Sequence, residues 1–127
     1  VLLMCLVHDW GEAVTGDIPS FLKSGADEET EDEAVDGLLA RLPEREAELA
    51  ALFSELTALE TPEARVYKAL DKLEAVIQHN EAPLSTWLPL ERELNLDYGE
   101  AECCGYPFLA ELRAKVRRDT EEKLGES

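Results

Sequence analysis

Aromatic residues are scarce in this chain: three Phe, three Tyr and two Trp among 127 residues, while 45% of the residues are hydrophobic. A core must therefore come from aliphatic side chains, which suits helix packing and argues against a β-sandwich. Bases are also few, 12 Lys and Arg against 29 Asp and Glu, for a formal charge of −17. Such a field repels free nucleic acid and anionic membrane surfaces, so neither a nucleic-acid polymer nor a membrane is expected as a partner. A small phosphorylated ligand remains compatible with it only where a bound cation and a few local bases reverse the sign in one cleft. The three cysteines, Cys5, Cys103 and Cys104, are odd in number and lack a CxxC spacing. Free thiols in a reducing, cytoplasmic setting are expected rather than a disulfide framework or a thiolate metal site. No apolar run approaches the length of a membrane span. The opening Val1-Leu2-Leu3-Met4-Cys5-Leu6-Val7 has no basic residues before it and runs into charged sequence, so it reads as a buried helix and not as a signal-peptide core. It begins with Val and without a cap, and we expect further sequence upstream.

What is present is a string of helical patterns. Residues 1–15 read as one mostly buried helix closed by Gly16, and Asp17-Ile18-Pro19-Ser20 as a loop, because Pro19 disfavours helical geometry at Ile18. The acidic segment after Gly25 turns helical, with Ala34, Leu38 and Leu42 in step until Pro43 breaks it. The run Asp27-Glu28-Glu29-Thr30-Glu31-Asp32-Glu33 suits the start of a solvated helix, the alternative being an acidic docking surface. Glu44 to Leu59 carries Leu49, Leu52, Phe53 and Leu56 on one side. Thr61-Pro62 predicts an N-cap and first helical position of a helix running to about Glu81, with the stripe Val66, Leu70, Leu73 and Ile77. Pro83 and Pro89 bracket Trp87 in a loop, and Asn95 to Gly105 reads as irregular. Tyr106-Pro107 opens a last helix ending near Leu124. Repeats and strand-like alternation are missing. The expected fold is all-α, a bundle of about five helices forming a single domain over 1–127.

The chemistry is concentrated near the start. His8, Asp9, Glu12 and Asp17 place one imidazole and three carboxylates within ten residues, and a helix would stack His8 and Glu12 on one face. An isolated His-Asp pair is more simply a buried histidine with a hydrogen-bonded neighbour. Four ionisable groups at the end of a long apolar run are costly unless something pairs them, and a divalent cation does so economically. Nitrogen and carboxylate donors together suit several such ions. A second patch, Lys68-Ala69-Leu70-Asp71-Lys72-Leu73-Glu74, would complete a site from another helix, with Asp71 on the metal and Lys68, Lys72 or Lys23 offsetting phosphate charge. Equally well, the basic stretch Arg65, Lys68 and Lys72 forms surface ion pairs with Glu63, Glu74 or the acidic run. His79 fits a hydrogen-bonded interior or edge position better than a ligand, and Trp10 and Trp87 fit packing roles.

His8-Asp9, Glu12, Thr15-Gly16-Asp17-Ile18-Pro19 and the distal Asp71 resemble the HD-domain metal-dependent phosphohydrolases. The similarity is greatest to the 5′-deoxynucleotidase-like branch, whose members show HD-x-x-E-x-x-x-GD followed by a hydrophobic residue and proline. Gln78-His79-Asn80-Glu81 looks like the later half of the same domain. The resemblance implies an HD-type bundle with a divalent metal ion (Co, Mn, Mg, Zn or Fe) held by His8, Asp9 and Asp71. It implies Glu12 as the catalytic carboxylate and a nucleotide-contacting loop of Asp17, Ile18, Pro19 and Ser20. The family's upstream His ligand, and the Arg-Trp pair of the deoxynucleotidase-like members, have no counterpart among the seven residues before His8. They are expected on helices lying before Val1. Relatives are often dimers, which suggests a homodimer here.

The activity implied is hydrolysis of deoxyribonucleoside 5′-monophosphates to deoxynucleoside and phosphate. Two rivals stand beside it: an HD hydrolase of another phosphorylated nucleotide, and a non-catalytic acidic helical module that binds a protein partner.

Overall fold

In a computed structural model of the chain, residues 1–19 and 22–125 are described. They form eight α-helices and one 3-10 turn, with no strand among them. Six of the helices are six residues or longer, one more than the sequence predicts: α1 (Leu2–Val7), α3 (Gly25–Leu39), α4 (Glu46–Ala58), α5 (Pro62–Glu81), α6 (Pro89–Asp97) and α8 (Pro107–Gly125). Two are single turns, α2 (Glu12–Thr15) and α7 (Glu100–Cys103). The chain divides into two compact units, residues 1–64 and 65–127.

In the first unit, α2 packs on α3, α3 on α4, and α1 on α4. Its core joins Val35 and Leu39 of α3 to Leu49 of α4, with Trp10, Leu52 and Phe53 against them. The expected stripe on α4 is thus present, Leu49 and Leu56 being buried. The stripe on α3 is displaced by one residue: Val35 and Leu39 are buried, while Leu42 is exposed. Charge outnumbers apolar residues on α3, so four-residue spacing alone could not choose between the two registers. Ser24 caps α3, its hydroxyl accepting from Asp27 N while the Asp27 carboxylate accepts from Ser24 N, and acids occupy the first turn.

Residues 1–15 are not one buried helix. Helix α1 ends at Val7, and the backbone tightens through Trp10 N–Val7 O, Glu12 N–Asp9 O and Ala13 N–Trp10 O bonds that lead into the first residues of α2. Only Met4 and Val7 of α1 are buried, and Leu2 and Leu6 are exposed. Gly16 ends α2 at φ +81°, where a side chain would be strained. The start of α2 lies so near α3 that a Cβ on Gly11 would meet Glu31 Cγ at 2.4 Å and Glu31 O at 2.8 Å.

The second unit is built on α5, which begins as expected at Pro62 with the Thr61 hydroxyl accepting from Ala64 N at 3.2 Å. Ala69, Leu73 and Val76 of α5 meet Cys103 of α7 and Leu109 and Val116 of α8 in the core. The segment Asn95 to Gly105 is more ordered than its breakers suggest. Pro89 sits in the first turn of α6, where a missing N–H costs nothing, and α7 follows after Gly99. Asn95, read as a breaker, is a fully buried hub. Its amide nitrogen faces Thr120 Oγ1 at 3.0 Å, Asn80 Oδ1 at 3.1 Å and Val76 O at 3.3 Å. Trp87 donates to His79 O at 2.9 Å and Lys123 to Asn80 O at 2.9 Å, so side chains satisfy the last carbonyls of α5.

Candidate functional site

The first unit gathers His8, Asp9, Glu12, Lys23 and Glu31. His8 follows α1 and keeps a right-handed helical backbone, which turns its ring back along the helix. Its Nδ1 lies 2.8 Å from Cys5 O, which can only accept, so Nδ1 carries the hydrogen. Nε2 then faces Asp9 Oδ1 at 3.1 Å. In the neutral ring both of these atoms are acceptors, an arrangement that nearby positive charge favours. A metal-bound histidine has the same arrangement: one nitrogen fixed by a backbone carbonyl, the other turned to the ion. His8 is half-buried and Asp9 exposed, so the pair has a protected donor and an open one.

Glu12 is half-buried at the first position of α2. Burial, and then Asp9, Asp17 and Glu31, raise its proton affinity above that of an ordinary glutamate, and Lys23 opposes them. Lys23 Nζ donates to Glu31 Oε2 at 2.7 Å and lies 4.0 Å from Glu12 Oε1. That bond to Glu31 raises the lysine pKa above its usual value, against the cost of burial. Sequence reasoning named Lys23 but missed Glu31, taking it as one acid in a solvated run. No local pattern links residues eight apart across a helix start. The sterically tight Gly11 is the trace of that contact in the fold. Asp17 and Pro19 are exposed and Ile18 is half-buried, whereas Ser20 lies outside the described residues.

In the second unit, Asp71 accepts from Lys68 at 2.8 Å, and Lys72 pairs with Glu102 while its ammonium lies 4.9 Å from the centre of the Tyr98 ring. For Lys68 and Lys72 the ion-pair partners are thus Asp71 and Glu102. His79 is half-buried, its Nδ1 2.9 Å from Asn95 Oδ1, in keeping with a hydrogen-bonded edge residue. Trp87 is buried and Trp10 packs against Phe53, as packing roles require. Cys5, Cys103 and Cys104 are free thiols.

Among the described residues no group of three or more His, Cys, Asp or Glu side chains is arranged to hold a metal ion. The nitrogen and carboxylate donors of His8 and Asp9 are of the kinds that divalent cations accept. No helix among the described residues is long and apolar enough to cross a membrane.

No curated protein and no solved structure matches the chain. A family profile described as HD domain matches residues 1–103, which takes in His8, Asp9, Glu12 and Asp71. The chain belongs to the HD-domain family, whose members are typically metal-dependent phosphohydrolases.

Proposed function

We propose that this protein hydrolyses deoxyribonucleoside 5′-monophosphates with a divalent metal ion held by His8, Asp9 and Asp71. The supporting observation is the His8–Asp9 pair, with Nδ1 fixed on Cys5 O and Nε2 turned to the carboxylate at 3.1 Å. When bound, the ion polarises phosphoryl oxygens and lowers the pKa of water. Glu12 orients the attacking water and takes its proton, a role that suits a carboxylate whose proton affinity is raised by burial. The water oxygen bonds to phosphorus, the bond from phosphorus to the sugar 5′-oxygen breaks, and that oxygen leaves with a proton. Asp17 accepts a hydrogen bond from a sugar hydroxyl, and Ile18 and Pro19 contact the nucleotide beside it. Lys68 and Lys72 offset phosphate charge.

The test is phosphate release from a panel of deoxy- and ribonucleoside monophosphates, triphosphates and cyclic nucleotides, each with Co²⁺, Mn²⁺, Mg²⁺, Zn²⁺ or Fe²⁺. Turnover of the deoxyribonucleoside monophosphates is expected, with a loss of about a hundredfold or more in Glu12→Gln. Turnover confined to another nucleotide would replace the substrate assignment. A protein that binds no metal and turns over nothing would favour the acidic interaction module.

A further inference from the structure

Within the phosphohydrolase assignment, on which this inference rests, we propose that Lys23 is a positioning residue for Glu12, and that Glu31 anchors Lys23 in that role. Lys23 Nζ is 2.7 Å from Glu31 Oε2 and 4.0 Å from Glu12 Oε1, and all three side chains are about four-fifths buried. A long flexible ammonium is withdrawn from water to this degree only where carboxylates hold it. Its place is fixed from the Glu31 side. Gly11 leaves no room between the start of α2 and the Glu31 main chain, and the Cβ it lacks would also meet Val35 Cγ2 at 3.2 Å. Glu31 and Val35 are one turn apart on α3, so the surface that buries Val35 in the core also presents Glu31 to Lys23.

The consequence falls on Glu12. Asp9, Asp17 and Glu31 all repel its carboxylate, and Lys23 attracts it. Without the ammonium, nothing in this set of charges favours the inward position of Glu12 over rotation to solvent. Lys23 thus acts through Glu12 and not through the substrate.

The test is a double-mutant cycle on the full chain, with Lys23→Met, Glu12→Gln and the pair, assayed with a deoxyribonucleoside monophosphate and Co²⁺. In Lys23→Met, kcat should fall at least about tenfold with KM within about twofold. In the Glu12→Gln background the same substitution should have no further effect. Glu31→Gln should lower kcat in the same direction, and Lys23→Arg should restore most of it. Bound metal, measured by mass spectrometry, should equal wild type in every variant. An additive cycle, or a rise in KM with kcat unchanged, would make Lys23 a phosphate contact and overturn the proposal, as would metal loss in Lys23→Met. If Lys23→Met does not fold, the decision passes to Glu31→Gln, and wild-type kcat there overturns the anchoring role and the proposal with it. A full-length wild type inactive on all nucleotides refutes the hydrolase assignment and this inference together, whereas an active wild type with an additive cycle refutes this inference alone.

Discussion

Arg113 holds the end of α6 through Asn95, its Nη2 donating to the Asn95 main-chain oxygen at 3.1 Å while its Nε donates to Tyr98 O at 2.9 Å. Arg113 is 3% exposed, and its Nη1 has no hydrogen-bond partner among the described residues. Burial lowers its pKa from the usual arginine value, with Glu100, Cys103 and Asp97 acting the other way. The charge is kept there because two carbonyls at a helix end would otherwise be left without donors.

Arg113→Met should therefore destabilise the protein by about 2–4 kcal/mol despite filling similar volume, since it leaves both carbonyls unpaired in the interior. Asn95→Leu should cost a similar amount, because the groups of His79, Asn80 and Thr120 that face it lose their partner. Urea denaturation measures both. Midpoints equal to wild type would mean that the network around α6 contributes nothing to stability.

Gly11→Ala tests the contact between α2 and α3. Gly11 is the N-cap of α2, a position where alanine gains nothing from helix propensity. The new Cβ must displace the Glu31 main-chain oxygen, which is not the end of a flexible side chain, so a net loss of about 1–3 kcal/mol is expected. A stabilised variant would show that the two helices do not approach as closely as described.

Two carboxylates should give opposite pH signatures. Burial raises the Glu102 pKa, but the Lys72 hydrogen bond and nearby positive charge together outweigh it, and the net shift is downward. Its stabilisation is present at neutral pH and lost as pH falls below the ordinary glutamate value, roughly 4.3, and through the folded-state value. Glu12 is shifted upward by burial and by neighbouring acids, so its contribution is present below that pH and lost as pH rises through its folded-state value. Glu12→Gln should accordingly melt higher than wild type at pH 7 without metal, with the gain vanishing in acid. Lys72→Met should melt lower at pH 7, with a deficit that shrinks in acid. Melting curves across pH 3–8 decide both, and a gain in Glu12→Gln that grows towards acid would reverse the sign assigned to Glu12.

Helix boundaries set by backbone chemistry were legible. Thr61-Pro62, Gly16 and Pro107 mark their helices in sequence as in structure, because caps and turn residues act within a few positions. The single long N-terminal helix failed because its continuous apolar run hides the tightening at His8–Gly11, which depends on α3 pressing against Gly11. The C-terminal end of helix α6 falls in the segment from Asn95 that the sequence marks as irregular, because Asn95 is a poor helix former in isolation. Its side chain is repaid by four polar neighbours distributed between α5 and α8, which no local window contains. For the same reason His8, Asp9 and Glu12 could be found from spacing, and Glu31 could not.

The metal decides between an HD hydrolase and a helical adaptor, and equilibrium dialysis against Co²⁺ and Mn²⁺, with bound metal quantified by mass spectrometry, tests it directly. We predict about one ion per chain in wild type and its loss in both His8→Ala and Asp9→Ala, with the helical circular dichroism of the wild type retained. Wild-type protein that takes up no ion, or variants that keep as much as wild type, would contradict the account.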